Sequence, residues 1–183
     1  MSDEHEALRA FFHPSAWRSS LDRFPLSGFA LVETVADLRP RFVVDAGCGY
    51  NQFKGRIPNL LGIDLVNPAA DLVCDMCDAP VKDGAIDVVL ALGSVNFGDA
   101  EQIERTLKIL VGWLAPKGVL VMRGNPGDAL DPRIQVFPWS RAAIGHFAER
   151  LGLAVLDIAK EPYEMPDGRR THRLFWRYRK PSI

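Results

Sequence analysis

At 183 residues, 48% of them hydrophobic and 25% charged, the chain has room for one domain with a full apolar core and the make-up of an ordinary globular protein. A formal net charge of −1 leaves no overall field to draw it to nucleic acid or an anionic membrane. No apolar run approaches the ~20 residues of a membrane span, and the acidic start Met1-Ser2-Asp3-Glu4 is unlike a signal peptide, so a cytoplasmic protein is expected.

Residues 2–24 read as an N-terminal helical segment, with Ser2 as its cap and Asp3 and Glu4 in the first turn. His13-Pro14 breaks it, and a second short helix through Trp17 follows. Phe11, Phe12 and Trp17 are expected to pack on the core, with a lid over a substrate as their other use. Phe29, Val32 and Val35 recur at helical spacing, which predicts a helix over 26–38 that Pro40 stops.

The apolar, β-branched run 42–46 predicts a buried strand, and Gly47 and Gly49 allow a sharp turn at its end where a ligand can lie against bare backbone. The dinucleotide fingerprint would need a third glycine at Gln52, and the phosphate-loop pattern fails because Lys54 precedes Gly55. Asp45, just before the turn, would repel a pyrophosphate and attract a cationic ligand end. A loop with Gly55 and Pro58 leaves room for only a brief helix before a second strand, Leu60–Asp64. Asp64 stands 19 residues beyond Asp45, close to the ~20-residue interval at which an acid meets a ribose in β-turn-α units.

Seven residues separate Asp64 from a third strand, Leu72–Asp75. A parallel crossover normally takes about a dozen or more, so a pruned connection without a helix is expected. Cys74 and Cys77 form a CxxC with no second ligand pair nearby, which reads as small residues at a strand end rather than a metal or redox site. The longest apolar strand signal, Ala85–Leu92, belongs at the centre of the sheet, with Asp87 structural. Asp99 caps a helix with Ile103, Leu107, Leu110, Val111 and Leu114 inward. Ala115-Pro116-Lys117-Gly118 turns into a strand at 119–122. Ser140 caps another helix, with Ile144, Phe147 and Leu151 inward and Gly152 as its stop. A strand at 153–159, a turn at Asp167-Gly168 and an alternating strand at 171–179 complete a C-terminal hairpin.

The run Asp45-x-Gly47-x-Gly49 resembles motif I of the class I S-adenosylmethionine-dependent methyltransferases, although Asn51 stands where they usually carry a third small residue. The resemblance spans residues 26–180 through the order of its parts: the Asp45 turn, Asp64, Asp75, the fourth strand and a Pro-Lys-Gly turn into the fifth. It implies one domain over 1–183 with an α/β, Rossmann-like, doubly wound fold: a mostly parallel seven-stranded sheet, an antiparallel C-terminal strand, and shortened crossovers on the cofactor side. It also implies S-adenosylmethionine as cofactor, bound by Asp45, Ala46, Gly47, Gly49, Asp64, Leu65, Asp75, Met76, Leu92 and Gly93. In that family an acid at Asp75 takes the adenine amino group, and an apolar neighbour such as Met76 packs on the ring.

An open α/β sheet binds ligands where its parallel strands end, which selects the loops after strands four and five for the acceptor. Ser94, Asn96, Arg123 and Asn125 are the candidates there, Arg123 for a carboxylate or phosphate. No general base stands out; His13, His146 and His172 qualify only by residue type. The Asp/Asn-Pro-Pro-aromatic motif of DNA amino-methyltransferases and the Pro-Cys of cytosine-C5 enzymes are both missing. Arg169, Arg170, Arg173, Arg177, Arg179 and Lys180 alternate with Phe175, Trp176 and Tyr178, a pattern that reads as an amphipathic strand with arginines on the wet face. A small-molecule acceptor is therefore expected. The other readings are a non-catalytic cofactor-binding module, an NAD-type dehydrogenase, against which Asp45 and Gln52 argue, and an RNA or DNA methyltransferase using the basic strand.

Overall fold

The computed structural model describes residues 3–16, 21–124, 133–164, 168 and 170–182. Seven strands form one sheet: β1 Val43–Ala46, β2 Leu60–Asp64, β3 Leu72–Val73, β4 Ile86–Leu92, β5 Leu114–Gly124, β6 Ala154–Glu164 and β7 Arg170–Arg179. Their order is β3-β2-β1-β4-β5-β7-β6. The pairings from β3 across to β5 are parallel, and β7 runs antiparallel to both β5 and β6. The chain order thus reverses between β1 and β4, which opens a crevice at the carboxyl ends of those strands.

The alternation of each central strand feeds two apolar layers. Val44, Ala46, Val89, Ala91, Leu120 and Met122 face one side, where helices α3 (Ala100–Trp113) and α4 (Arg141–Leu151) pack on them. Val43, Val88, Leu90, Val119 and Val121 face the other, under α2 (Leu31–Asp37). Burial on both faces explains why β4 reads as a continuous apolar run from Val88 to Leu92. The caps are those expected: Asp99 forms a capping box with Gln102, Ser140 Oγ accepts from Ala143 N, and Gly152 closes α4 in the left-handed region at φ 64°.

Several boundaries differ from expectation. Helix α2 begins at Leu31, not residue 26, because Gly28 N donates to Phe24 O in a tight turn where a Cβ would lie 2.0 Å from Leu21 O. Phe42 falls outside β1 and is 53% exposed. The loop after β1 holds turns rather than a brief helix. Strand β3 keeps two residues, because Asp75 turns away to accept from Cys77 N and cap the short 3-10 turn Met76–Asp78. The expected turn at 115–118 sits inside β5 as a bulge, since Leu114 already pairs with Ile86 and regular pairing resumes at Val119. Strand β6 continues to Glu164, matching the length of β7. The pruned β2–β3 connection is present, with turns only between them. Among the described residues, no helix is long and apolar enough to cross a membrane.

Candidate active site at the carboxyl ends of the strands

Asp45, next to last in β1, is only 3% exposed. Burial, reinforced by Asp64 and opposed by Arg123, raises its carboxyl from 3.8 to about 7. A carboxylate so poised gains from a cation brought beside it. The turn that follows is built from two glycines with positive φ, Gly47 at 88° and Gly49 at 54°. They do different jobs. A Cβ on Gly47 would sit 2.3 Å from Ser94 Cβ, so this glycine admits the loop after β4 rather than leaving backbone bare. Ser94 Oγ in turn donates to Ala46 O, which ties the ends of β1 and β4 together. Gly49 presents its N–H to Asp64 Oδ2 at 2.9 Å. Burial also pushes the Cys48 thiol up, leaving it an unreactive neutral group in this turn.

Asp64 caps its own loop as well, with Oδ1 accepting from Val66 N at 3.0 Å and Asn67 N at 2.8 Å. The side chain therefore fixes the turn after β1 and the loop after β2 in one register. Asn51 adopts φ 53°, a conformation that asparagine tolerates, and its side chain covers Gly62, where a Cβ would meet Oδ1 at 2.4 Å. That contact accounts for Asn51 in place of a small residue.

The N-terminal helix α1 (Asp3–Phe11) reaches these same strand ends. Arg9 Nη1 donates to Leu65 O at 3.2 Å, His5 Nδ1 lies 3.7 Å from Asp75 Oδ2, and Tyr50 OH donates to Pro14 O at 2.9 Å. Phe12 packs edge-on against Phe97 of the loop after β4. Sequence reasoning missed His5, Arg9 and Tyr50, because nothing local to residues 3–14 indicates what they cover. Trp17 lies outside the described residues.

The acceptor candidates separate. Asn96 is 1% exposed, and its backbone carbonyl accepts from Phe137 N, which puts it beneath the loop surface. Arg123 turns inward: Nη2 donates to Leu92 O at 2.6 Å and Nη1 to Ser27 Oγ at 3.1 Å. Burial and the neighbouring Arg173 pull its guanidinium down to about 9, and Glu161 and Asp45 oppose that. Asn125 lies outside the described residues. Gly93, with φ 95°, follows Leu92 at the rim. His13, His146 and His172 are all exposed.

The basic strand does not present one wet face. Arg173 is buried, Arg177 forms an ion pair with Asp157, and Lys180 Nζ caps α3 at Val111 O and Leu114 O. Arg170 and Arg179 remain exposed. The signal that corrects the sequence reading was available: Phe175 shares the parity of Arg173 and Arg177, so that side of β7 had to be covered.

No family model and no curated protein matches the chain. Solved structures do. The 1,6-didemethyltoxoflavin-N1-methyltransferase of Burkholderia thailandensis, with bound S-adenosylhomocysteine, is 18% identical with a TM-score of 0.76, covering 100% of this chain and 92% of its own. The chain has the class I methyltransferase fold. The magnesium protoporphyrin IX methyltransferase of Synechocystis PCC 6803, with bound S-adenosylmethionine, shares it at 14% identity and TM-score 0.70, covering 98% of each chain. The cyclase SpnF does too, at 15% identity and TM-score 0.63, covering 86% of this chain and 82% of its own. The methyltransferase fold thus supports more than one chemistry, and activity has to be argued from the site.

Proposed function

We propose that the chain binds S-adenosylmethionine across the ends of β1–β3 and transfers its methyl group to a small-molecule acceptor at the ends of β4 and β5. The observation that carries this reading is Asp45, a buried carboxylate raised to about 7 beside a two-glycine turn. The ammonium of the donor's amino-acid end supplies the charge that such a group lacks, whereas a pyrophosphate would oppose it. The residues fit the rest of the donor: Asp64 is an acceptor for ribose hydroxyls, Asp75 and Met76 suit an adenine edge and face, and Leu92 and Gly93 line the rim. Helix α1 belongs to the same domain and acts as its lid, closing over the adenosine end through Arg9 and His5.

When bound, the donor supplies a methyl group on sulfonium, an excellent leaving group, so the protein's share is mainly positioning. The Gly47–Ser94 contact and the Asp64 clamp fix the rims of β1, β2 and β4 relative to one another. Covering by α1 excludes water from the adenosine end. No histidine stands at the strand ends among the described residues beyond His5 and the exposed His13, so an acceptor whose nucleophilic atom is already unprotonated suits the site. Titration with S-adenosylhomocysteine, followed by turnover against a metabolite library, tests the proposal: binding with methyl transfer is expected, and no binding overturns it. Binding without turnover would favour a cofactor-binding module, the second reading, which the fold shared with SpnF keeps relevant. Nucleic acid is not favoured, because two of the basic residues of β7 and the lysine after it are spent on internal contacts.

A further inference from the structure

The carboxyl end of the β5–β7 side holds a charge cluster that donor binding does not use. Arg173 is 7% exposed, and its guanidinium carbon lies 3.6 Å from the ring centre of Tyr163 and 4.7 Å from that of Phe24. Arg123 lies over the same Phe24 ring at 4.9 Å. Two of Arg123's nitrogens are satisfied by Ser27 and Leu92, but its Nε has no partner, and neither do Nε and Nη1 of Arg173. The acid opposite Arg173 in the β6–β7 register is Glu161, 0% exposed. It spends its oxygens elsewhere: Oε1 accepts from Leu26 N and Ser27 N, both at 2.8 Å, and Oε2 accepts from Ser27 Oγ at 2.7 Å.

The buried guanidinium of Arg173 and the half-buried one of Arg123 therefore share Glu161, which is already engaged by three N–H and O–H donors, with Asp45 acting on Arg123 from β1, and three of their nitrogens have no hydrogen-bond partner. A guanidinium cannot escape burial by losing its proton, and buried charges are otherwise paired. What is missing is one negative charge with flat, forked oxygens, which is a carboxylate. A carboxylate offers that fork in one plane with a single charge, where a phosphate dianion brings two.

We propose that Arg123 and Arg173 form the subsite for a carboxylate on the methyl acceptor, beside Phe24 and Tyr163. This rests on the methyl-transfer reading above. The donor also has a carboxylate, on its amino-acid end, but that end belongs over the Gly47–Gly49 turn of β1. Strand β7 stands three strands from β1, roughly 15 Å away, so Arg173 falls on the acceptor's side.

The test is calorimetric titration of the S-adenosylhomocysteine-saturated protein with benzoate, benzamide and phenyl phosphate. Benzoate is expected to bind at least ~10-fold more tightly than benzamide. Arg173→Gln should remove that preference while changing S-adenosylhomocysteine affinity less than ~2-fold. Equal binding of benzoate and benzamide by the wild type overturns the subsite. Tighter binding of phenyl phosphate than of benzoate overturns the carboxylate. A loss of S-adenosylhomocysteine affinity with benzoate unaffected assigns the pair to the donor and overturns the acceptor role. If Arg173→Gln does not fold, Arg173→Lys, which keeps the charge but loses the fork, is read the same way. Failure of the wild type to bind S-adenosylhomocysteine sinks the methyl-transfer reading, and the acceptor role with it. A benzoate preference in that protein would still mark an anion site.

Discussion

The two sides of the sheet handle charge in opposite ways. On the β1–β3 side, Asp64 at the end of β2 and Asp75 just past β3 are answered by backbone N–H groups, that of Gly49 from the turn after β1 and the others two or three residues on. On the β5–β7 side Arg123, Glu161 and Arg173 are wholly or partly buried and are gathered from separate stretches of the chain around Phe24 and Ser27, and their donors outnumber their acceptors. A carboxylate steadied by main-chain donors, with a lone pair to spare, can stand ready without a ligand. A guanidinium pair short of acceptors is finished only by something from outside. The first arrangement builds a rigid rim, and the second builds a demand.

The sharpest way to break that contrast is at Glu161. Glu161→Ala strands two backbone N–H groups and Ser27 Oγ and leaves both arginines without their nearby acid, so a loss of about 3–5 kcal/mol in urea unfolding is expected. A loss below ~1 kcal/mol would mean that the cluster is not held as described. On the other side, Asp64→Ala removes an acceptor from Gly49, Val66 and Asn67 as well as from the ribose. S-adenosylhomocysteine affinity should fall by about 1–3 kcal/mol, and the melting temperature should fall with it. Unchanged affinity in a folded protein would refute the ribose role.

Gly47→Ala tests how the two rims are joined. The added Cβ meets Ser94 and a backbone at φ 88°, so a destabilisation of about 1–3 kcal/mol is expected. Adding Ser94→Gly should recover the contact part of that loss but not the backbone part; no recovery would show that the clash is not with Ser94. The smallest effect belongs to the lid. Arg9→Ala gives up one hydrogen bond to Leu65 O, so S-adenosylhomocysteine affinity should drop by about 0.5–1.5 kcal/mol with little change in stability. A melting temperature that falls while affinity holds would make α1 merely structural.

The same contrast explains what the sequence disclosed. The places of Asp45, Gly47, Gly49, Asp64 and Asp75 at or just past strand ends were legible because each is defined by its neighbours along the chain: an apolar run, then an acid or a glycine at its end. The α3 and α4 caps were legible for the same reason. Ser27, Glu161 and Arg173 were not, because their meaning depends on β6 and β7 folding back beside β5 and on residues 24–27 crossing over them. Gly47 shows the limit of local reading even where the motif is plain. Its glycine suits both a ligand and a neighbouring loop, and only the fold reveals Ser94 against it.

The most direct test of the account is calorimetry of S-adenosylhomocysteine binding from pH 5.5 to 8.5, in buffers of different ionisation enthalpy. The folded Asp45 holds its proton up to about pH 7, against an ordinary 3.8, so this group stabilises the ligand-free protein least above pH 7. An arriving ammonium favours the ionised form. Below pH 7 binding should therefore release a proton and strengthen as pH rises, then level off above 7, and Asp45→Asn should flatten the profile. Tight binding with no proton release at pH 6, or a profile that Asp45→Asn leaves unchanged, would contradict the central role given to this carboxylate.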